Sequence, residues 1–174
     1  MRLFVALQLS DAVKRLLLEC MGQLQKQALS ASLIRPDNLH ITLAFIGETD
    51  RLASIREVLK QMLPPGPLYL SIGNVGRFGD LWWVGVENNQ ALADYAYQIQ
   101  RRLRSSGFPL EQRRFIPHIA IARRVTVVEP IDLEFPNVTM RVDSISLMKS
   151  ERIENRPVYT ELCRYAFPKG DGRQ

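Results

Sequence analysis

Apolar and polar positions along this chain fall into two periods, and the switches between them mark its elements. Residues 2–9, RLFVALQL, read as a strand. From Ser10 or Asp11, which can cap a helix, the spacing lengthens: Val13, Leu16, Leu17, Cys20, Leu24 and Ala28 form one stripe over roughly 11–29. A strand follows over 38–46, then a helix over 51–63 that begins near Thr49 or Asp50. Pro64-Pro65-Gly66-Pro67 stops it and is the best linker in the chain. Strands over 68–72 and 81–87 are expected to flank a Gly-rich turn, GNVGRFGD. A third helix covers 90–106 and ends at Gly107. A strand over 115–122 and a last pair over 138–148 and 157–165 complete the pattern, and PKGDGRQ reads as a frayed tail.

The order strand, helix, strand occurs twice. It runs through 3–8, 11–29 and the strand at His40, and again through 82–87, 90–106 and the strand at His118. Leu3 lies 37 positions before His40, and Trp82 lies 36 before His118. The sequence holds only two histidines. A diverged internal repeat that delivers one histidine per copy accounts for both the order and the placement.

The two histidine segments are PDNLHITLAFIG (36–47) and FIPHIAIAR (115–123). Side chains alternate along a strand, so His40 and Thr42 share one face while Ile41 and Leu43 take the other. His118 and Ala120 repeat this, with Ile119 and Ile121 opposite. Packed about a pseudo-two-fold axis, the repeats would set the two imidazoles across a groove. With an ordinary pKa near 6.5, one imidazole can be neutral and the other protonated near neutrality. Such a pair suits in-line displacement at phosphorus: the neutral ring takes a proton from water and the protonated ring gives one to the leaving oxygen. Either histidine taken alone is more often a packed, hydrogen-bonded core residue than a catalyst. Two histidines seldom hold a metal, and no cysteine or carboxylate cluster sits at ligand spacing beside them.

Composition adds bounds rather than chemistry. The chain has 174 residues, 46% apolar and 24% charged, as expected of one domain or one domain of two lobes. Its net charge of +5 and its 18 Arg against 5 Lys favour an anionic partner, although genomic base composition explains an arginine bias too. Cys20 and Cys163 form no C-x-x-C pair and read as reduced thiols. The opening MRLFVALQLSD lacks the pattern of a signal peptide, and no run is long enough for a membrane span. These features predict a cytoplasmic chain, taken as a monomer.

The two histidine segments resemble the paired H-x-[ST]-x motifs of the two-histidine (2H) phosphoesterases. The nearest branch is the bacterial and archaeal RNA 2′,3′-cyclic phosphodiesterases, also called 2′-5′ RNA ligases (LigT-like). The resemblance extends to RLFVAL, RPDNLHITLAFIGE, LWWVGV, FIPHIAIAR and SERIENRPVYTEL, nearly the whole chain. It implies an α+β fold, one bilobal domain over 1–174 whose two antiparallel sheets line a central cleft with helices outside. It further implies opening of RNA 2′,3′-cyclic phosphate ends to 2′-phosphates with no metal or other cofactor, and associates 2′-5′ ligation with the same site. His40 and His118 take the catalytic roles, His40 as acid and His118 as base, with Thr42 donating to phosphate. Ala120 departs from the family's Thr or Ser. That removes one phosphate hydrogen bond, typically about 1.5–3 kcal/mol, and keeps open an RNA-end binder with reduced turnover. Hydrolysis of another cyclic nucleotide phosphate is a further alternative, and an interaction domain with structural histidines is the plainest one.

Phe45 and Arg123 each lie five residues past a histidine. Strict alternation puts them on the wrong face, but twist or a bulge near a strand end can return them to the cleft. They are then candidates for substrate contact, Phe45 on the terminal base and Arg123 on phosphate or base. Arg113 and Arg114 could guide the RNA backbone or be solvated loop charges. Tyr159 and Ser150 are assigned no chemistry, and one of Trp82 and Trp83 is expected in the core.

Overall fold

A computed structural model describes residues 1–170. Its elements are β1 (Arg2–Leu7), α1 (Asp11–Gln27), β2 (Ser30–Leu33), a 3₁₀ turn (Pro36–Asn38), β3 (Ile41–Glu48), α2 (Leu52–Gln61), β4 (Leu68–Phe78), β5 (Leu81–Val86), α3 (Gln90–Ser105), β6 (His118–Thr126), β7 (Val138–Val142), β8 (Ser144–Ile153) and β9 (Arg156–Ala166). Local chemistry sets the helix ends. The Ser10 hydroxyl accepts from the Val13 N–H at 3.3 Å, and Asn89 Oδ1 accepts from the Leu92 N–H at 2.9 Å, so α1 and α3 each have a side-chain N-cap. Gly107, at φ +91°, takes the left-handed turn that ends α3. Among the described residues no helix is long and apolar enough to cross a membrane.

Two antiparallel sheets result. One has the strand order β3-β1-β8-β9 and the other β2-β6-β5-β4-β7. The pair β3-β1 in the first sheet matches β6-β5 in the second, each a histidine strand beside the opening strand of its repeat. The helices cross over. α1, which follows β1, packs on β2 and β6 of the other sheet, and α3, which follows β5, packs behind β3. The Gln100 amide on α3 donates to the Leu43 carbonyl at 2.8 Å and fastens that contact. One continuous core runs through both sheets and all three helices, including Leu17, Leu24, Ile41, Leu43, Ile55, Ile99, Leu103, Ile119 and Ile121.

Three expectations differ from the structure. GNVGRFGD is mostly strand: β4 runs to Phe78, and the turn is confined to Gly79 and Asp80. The glycines serve close approach instead. A Cβ at Gly76 would run into the Trp83 ring, and one at Gly73 would meet the Asn137 side chain. The run 138–148 breaks at Asp143, because β7 pairs with β4 in one sheet and β8 pairs with β1 in the other. β2, with the sequence SASL, was not predicted and adds an edge to β6. Of the expected tail, Pro168–Gly170 carry no regular structure, and 171–174 lie outside the described residues.

Candidate active site

His40 immediately precedes β3, and His118 is the first residue of β6. From each histidine the chain shows the same burial over six residues. His40 and Thr42 are half-buried, Ile41, Leu43 and Ala44 are buried, and Phe45 is exposed. His118, Ile119, Ala120, Ile121, Ala122 and Arg123 repeat that pattern position by position. Both strands bulge at the equivalent place. Thr42 and Ala44 pair with the adjacent residues Ala6 and Val5, leaving Leu43 as the extra residue. Ala120 and Ala122 pair with the adjacent Trp83 and Trp82, leaving Ile121 extra. A bulge reverses the parity of a strand, so Phe45 and Arg123 emerge on the same face as the histidines.

That face lines a cleft of about 450 Å³ between the sheets. His40, Thr42 and Phe45 come from one side, and His118, Ala120 and Arg123 from the other. His40, His118, Thr42, Phe45 and Arg123 therefore border one space. Arg113 reaches it as well and pairs with Glu111, whereas Arg114 does not.

The imidazoles are held alike. His40 Nδ1 lies 2.7 Å from the Asn38 carbonyl, and His118 Nδ1 lies 2.7 Å from the Ile116 carbonyl. A carbonyl only accepts, so each Nδ1 carries the hydrogen and each Nε2 is left for chemistry. The surroundings then diverge. His40 Nε2 accepts from the Thr42 hydroxyl at 2.7 Å. Ala120 has no hydroxyl to offer His118. The His40 ring packs against Phe4 at 5.0 Å and edge-on against Tyr159 at 5.4 Å. His118 packs against Phe78 at 5.2 Å and Trp83 at 6.2 Å. Burial lowers the His40 pKa below the ordinary imidazole value. The positive charges of His118 and Arg123 add to that, and the bond to the Asn38 carbonyl opposes it. These surroundings favour a neutral His40.

Sequence reading missed the groups that orient the rings. Asn38, 6% exposed, donates from its side chain to the Pro157 carbonyl at 2.9 Å, tying the carbonyl that holds His40 to β9. Phe4 and Tyr159 flank His40 from strands distant in sequence, and no local signal marks them. Of the tryptophans, Trp82 is buried and Trp83 stands beside His118. Among the described residues no three His, Cys, Asp or Glu side chains converge as metal ligands.

Two antiparallel sheets that face each other and each present one pinned histidine define the two-histidine class of architecture. The chain belongs to the 2′-5′ RNA ligase superfamily, whose model matches residues 9–154. It is similar to the RNA 2′,3′-cyclic phosphodiesterase of Thermotoga maritima, 28% identical with 98% of this chain and 97% of that protein covered. The protein of the same name from Archaeoglobus fulgidus is 30% identical over 71% of this chain and 72% of its own length. Among solved structures, TT0787 of Thermus thermophilus aligns with a TM-score of 0.88 at 22% identity, covering 98% of this chain and all of that one. Escherichia coli LigT complexed with 3′-AMP aligns at 0.84 and 24% identity over 95% of this chain and 97% of that one. These likenesses match the α+β fold of two antiparallel sheets with helices outside.

Proposed function

We propose that this chain opens 2′,3′-cyclic phosphate ends of RNA to 2′-phosphates, with His40 and His118 performing both proton transfers. The observation that carries the reading is the matched pinning of the two Nδ1 atoms, which leaves two Nε2 atoms on one cleft between opposed sheets. The names of the relatives support the substrate class. The two sheets act here as the lobes of a single catalytic unit.

In the proposed reaction one imidazole removes a proton from water as its oxygen bonds to phosphorus, and the bond from phosphorus to O3′ breaks. The other imidazole protonates O3′, and the phosphate stays on O2′. Thr42 turns its one hydroxyl proton from His40 Nε2 to a non-bridging oxygen, which frees Nε2 to take the water proton; Arg123 offsets phosphate charge, and Phe45 gives the terminal base a stacking surface. The lowered His40 pKa favours His40 as base and leaves the acid role to His118, the reverse of the assignment expected from the resemblance. A 5′-hydroxyl in place of water would form a 2′-5′ linkage by the same displacement.

The decisive experiment presents RNA ending in a 2′,3′-cyclic phosphate to the wild type in excess EDTA and reads the product by phosphorus NMR. Formation of 2′-phosphate is expected. No turnover by folded protein overturns the reading. Tight binding of a 2′-phosphate end without turnover would instead favour an RNA-end binder, for which the methyl of Ala120 is the motivating observation.

A further inference from the structure

Beside the cleft, and sharing part of its lining, lies a second hollow of about 640 Å³. Thr42, Phe45, Leu81, His118 and Arg123 border both spaces, so the hollow adjoins the place where a chain held at the histidines would continue. The character of the walls changes across that border. Phe78 is 43% exposed and Ile116 44% exposed, and both line the hollow and not the cleft. Phe78 meets His118 and Trp83 and still presents much of its ring to solvent. On the loop before β6, Arg113 and Arg114 bring two guanidiniums to the same hollow. Glu111 compensates Arg113, while Arg114 has no ion-pair partner among the described residues. Clustered exposed apolar side chains mark a binding surface. Paired with arginine, such a surface fits a single-stranded nucleic acid, whose bases stack on rings while cations follow its phosphates.

We infer that this hollow receives the nucleotide immediately 5′ of the cyclic phosphate end. Its base rests on Phe78 and Ile116, and the phosphate joining it to the terminal nucleotide meets Arg114. The inference rests on the function proposed above and makes the substrate a polynucleotide rather than a free cyclic nucleotide. Recognition is tolerant of sequence, because every base has a stacking face.

The test compares three substrates with the same terminal residue: a 2′,3′-cyclic mononucleotide, the dinucleotide, and a dinucleotide abasic at its 5′ residue. The wild-type kcat/KM for the dinucleotide is expected to exceed that for the mononucleotide about tenfold, and most of that gain should vanish with the abasic form. Arg114→Glu should lower the dinucleotide value about fivefold or more and leave the mononucleotide unchanged. Phe78→Ala touches His118, so its readout is the dinucleotide-to-mononucleotide ratio, which should fall. Equal rates on the mononucleotide and dinucleotide, or full activity on the abasic form, overturn the inference while the proposed activity stands. If none of the three is opened, the proposed activity fails separately. Equilibrium binding of the corresponding 2′-phosphates then decides the hollow, a tenfold preference for the dinucleotide supporting it and equal affinity overturning it. Self-association abolished by Phe78→Ala, with equal rates on the two lengths, would give the hollow to a second copy and overturn the inference.

Discussion

The segments 40–45 and 118–123 share a backbone and differ in what the backbone carries. Both start with a histidine whose Nδ1 donates to the carbonyl two residues back, and both bulge at the fourth residue. Yet a threonine in one stands where the other has alanine, and phenylalanine stands where the other has arginine. The frame that aims the imidazoles is symmetric, and the groups that would meet a substrate are not. Phosphodiester opening needs that combination. Attack and departure lie on opposite sides of phosphorus, while the nucleotide attached to it has one base and one chain direction.

Removing either histidine tests the symmetric part and should have the largest effect. His40→Ala and His118→Ala are each expected to lower kcat by about 10²–10⁴-fold, the usual reach of a positioned acid or base. Circular dichroism should show both variants folded.

The asymmetry is sharpened by a cyclic phosphate whose bridging 3′-oxygen is replaced by sulfur. A thiolate departs without a proton, so this substrate should restore about tenfold or more of the activity lost by the variant that lacks the acid. His118→Ala should be rescued and His40→Ala should not. Rescue of His40→Ala instead would reverse the assignment.

The pH profile makes the same point by another route. A base works deprotonated, so activity falls as pH drops through its pKa. Burial and two neighbouring positive charges hold His40 below the ordinary imidazole value. The acidic limb of kcat/KM should therefore lie below about 6.5, the unperturbed value. Arg123→Gln, by removing one of those charges, should move this limb upward.

The smallest effects come from exchanging the partner residues. Thr42→Val should reduce kcat/KM about ten- to hundredfold, and Ala120→Thr should raise it by a similar factor, the worth of one hydrogen bond to a charged group. Steady-state rates on one substrate read both. No gain from Ala120→Thr would mean that another group already holds that phosphate oxygen.

Much of this site was legible in the sequence because its signals are local. A histidine followed by alternating apolar residues fixes which face it shares with Thr42, and two such segments at matched distance from an opening strand reveal the repeat. What escaped depends on contacts between distant segments. Gly73 and Gly76 read as turn residues, because a glycine needed for close approach looks the same in sequence as one needed for a turn. In VTMRVDSISLM the apolar positions shift from Val138, Met140 and Val142 to Ile145 and Leu147 across Asp143-Ser144, a change of phase that marks the break but does not say that the chain changes sheets there. Phe4 and Tyr159 read as ordinary strand residues, and only β1 and β9 bring them to His40. SASL has too few branched residues to announce a strand and is one through its pairing with β6.

The crossing of α1 and α3 makes the two sides of the cleft depend on each other. α1 follows β1 but packs on β2 and β6, and α3 follows β5 but packs behind β3. The helix that backs each histidine strand therefore comes from the far part of the chain. A cut between α2 and β4 would part both histidine strands from those helices at once, so the aim of either imidazole is a property of the whole chain.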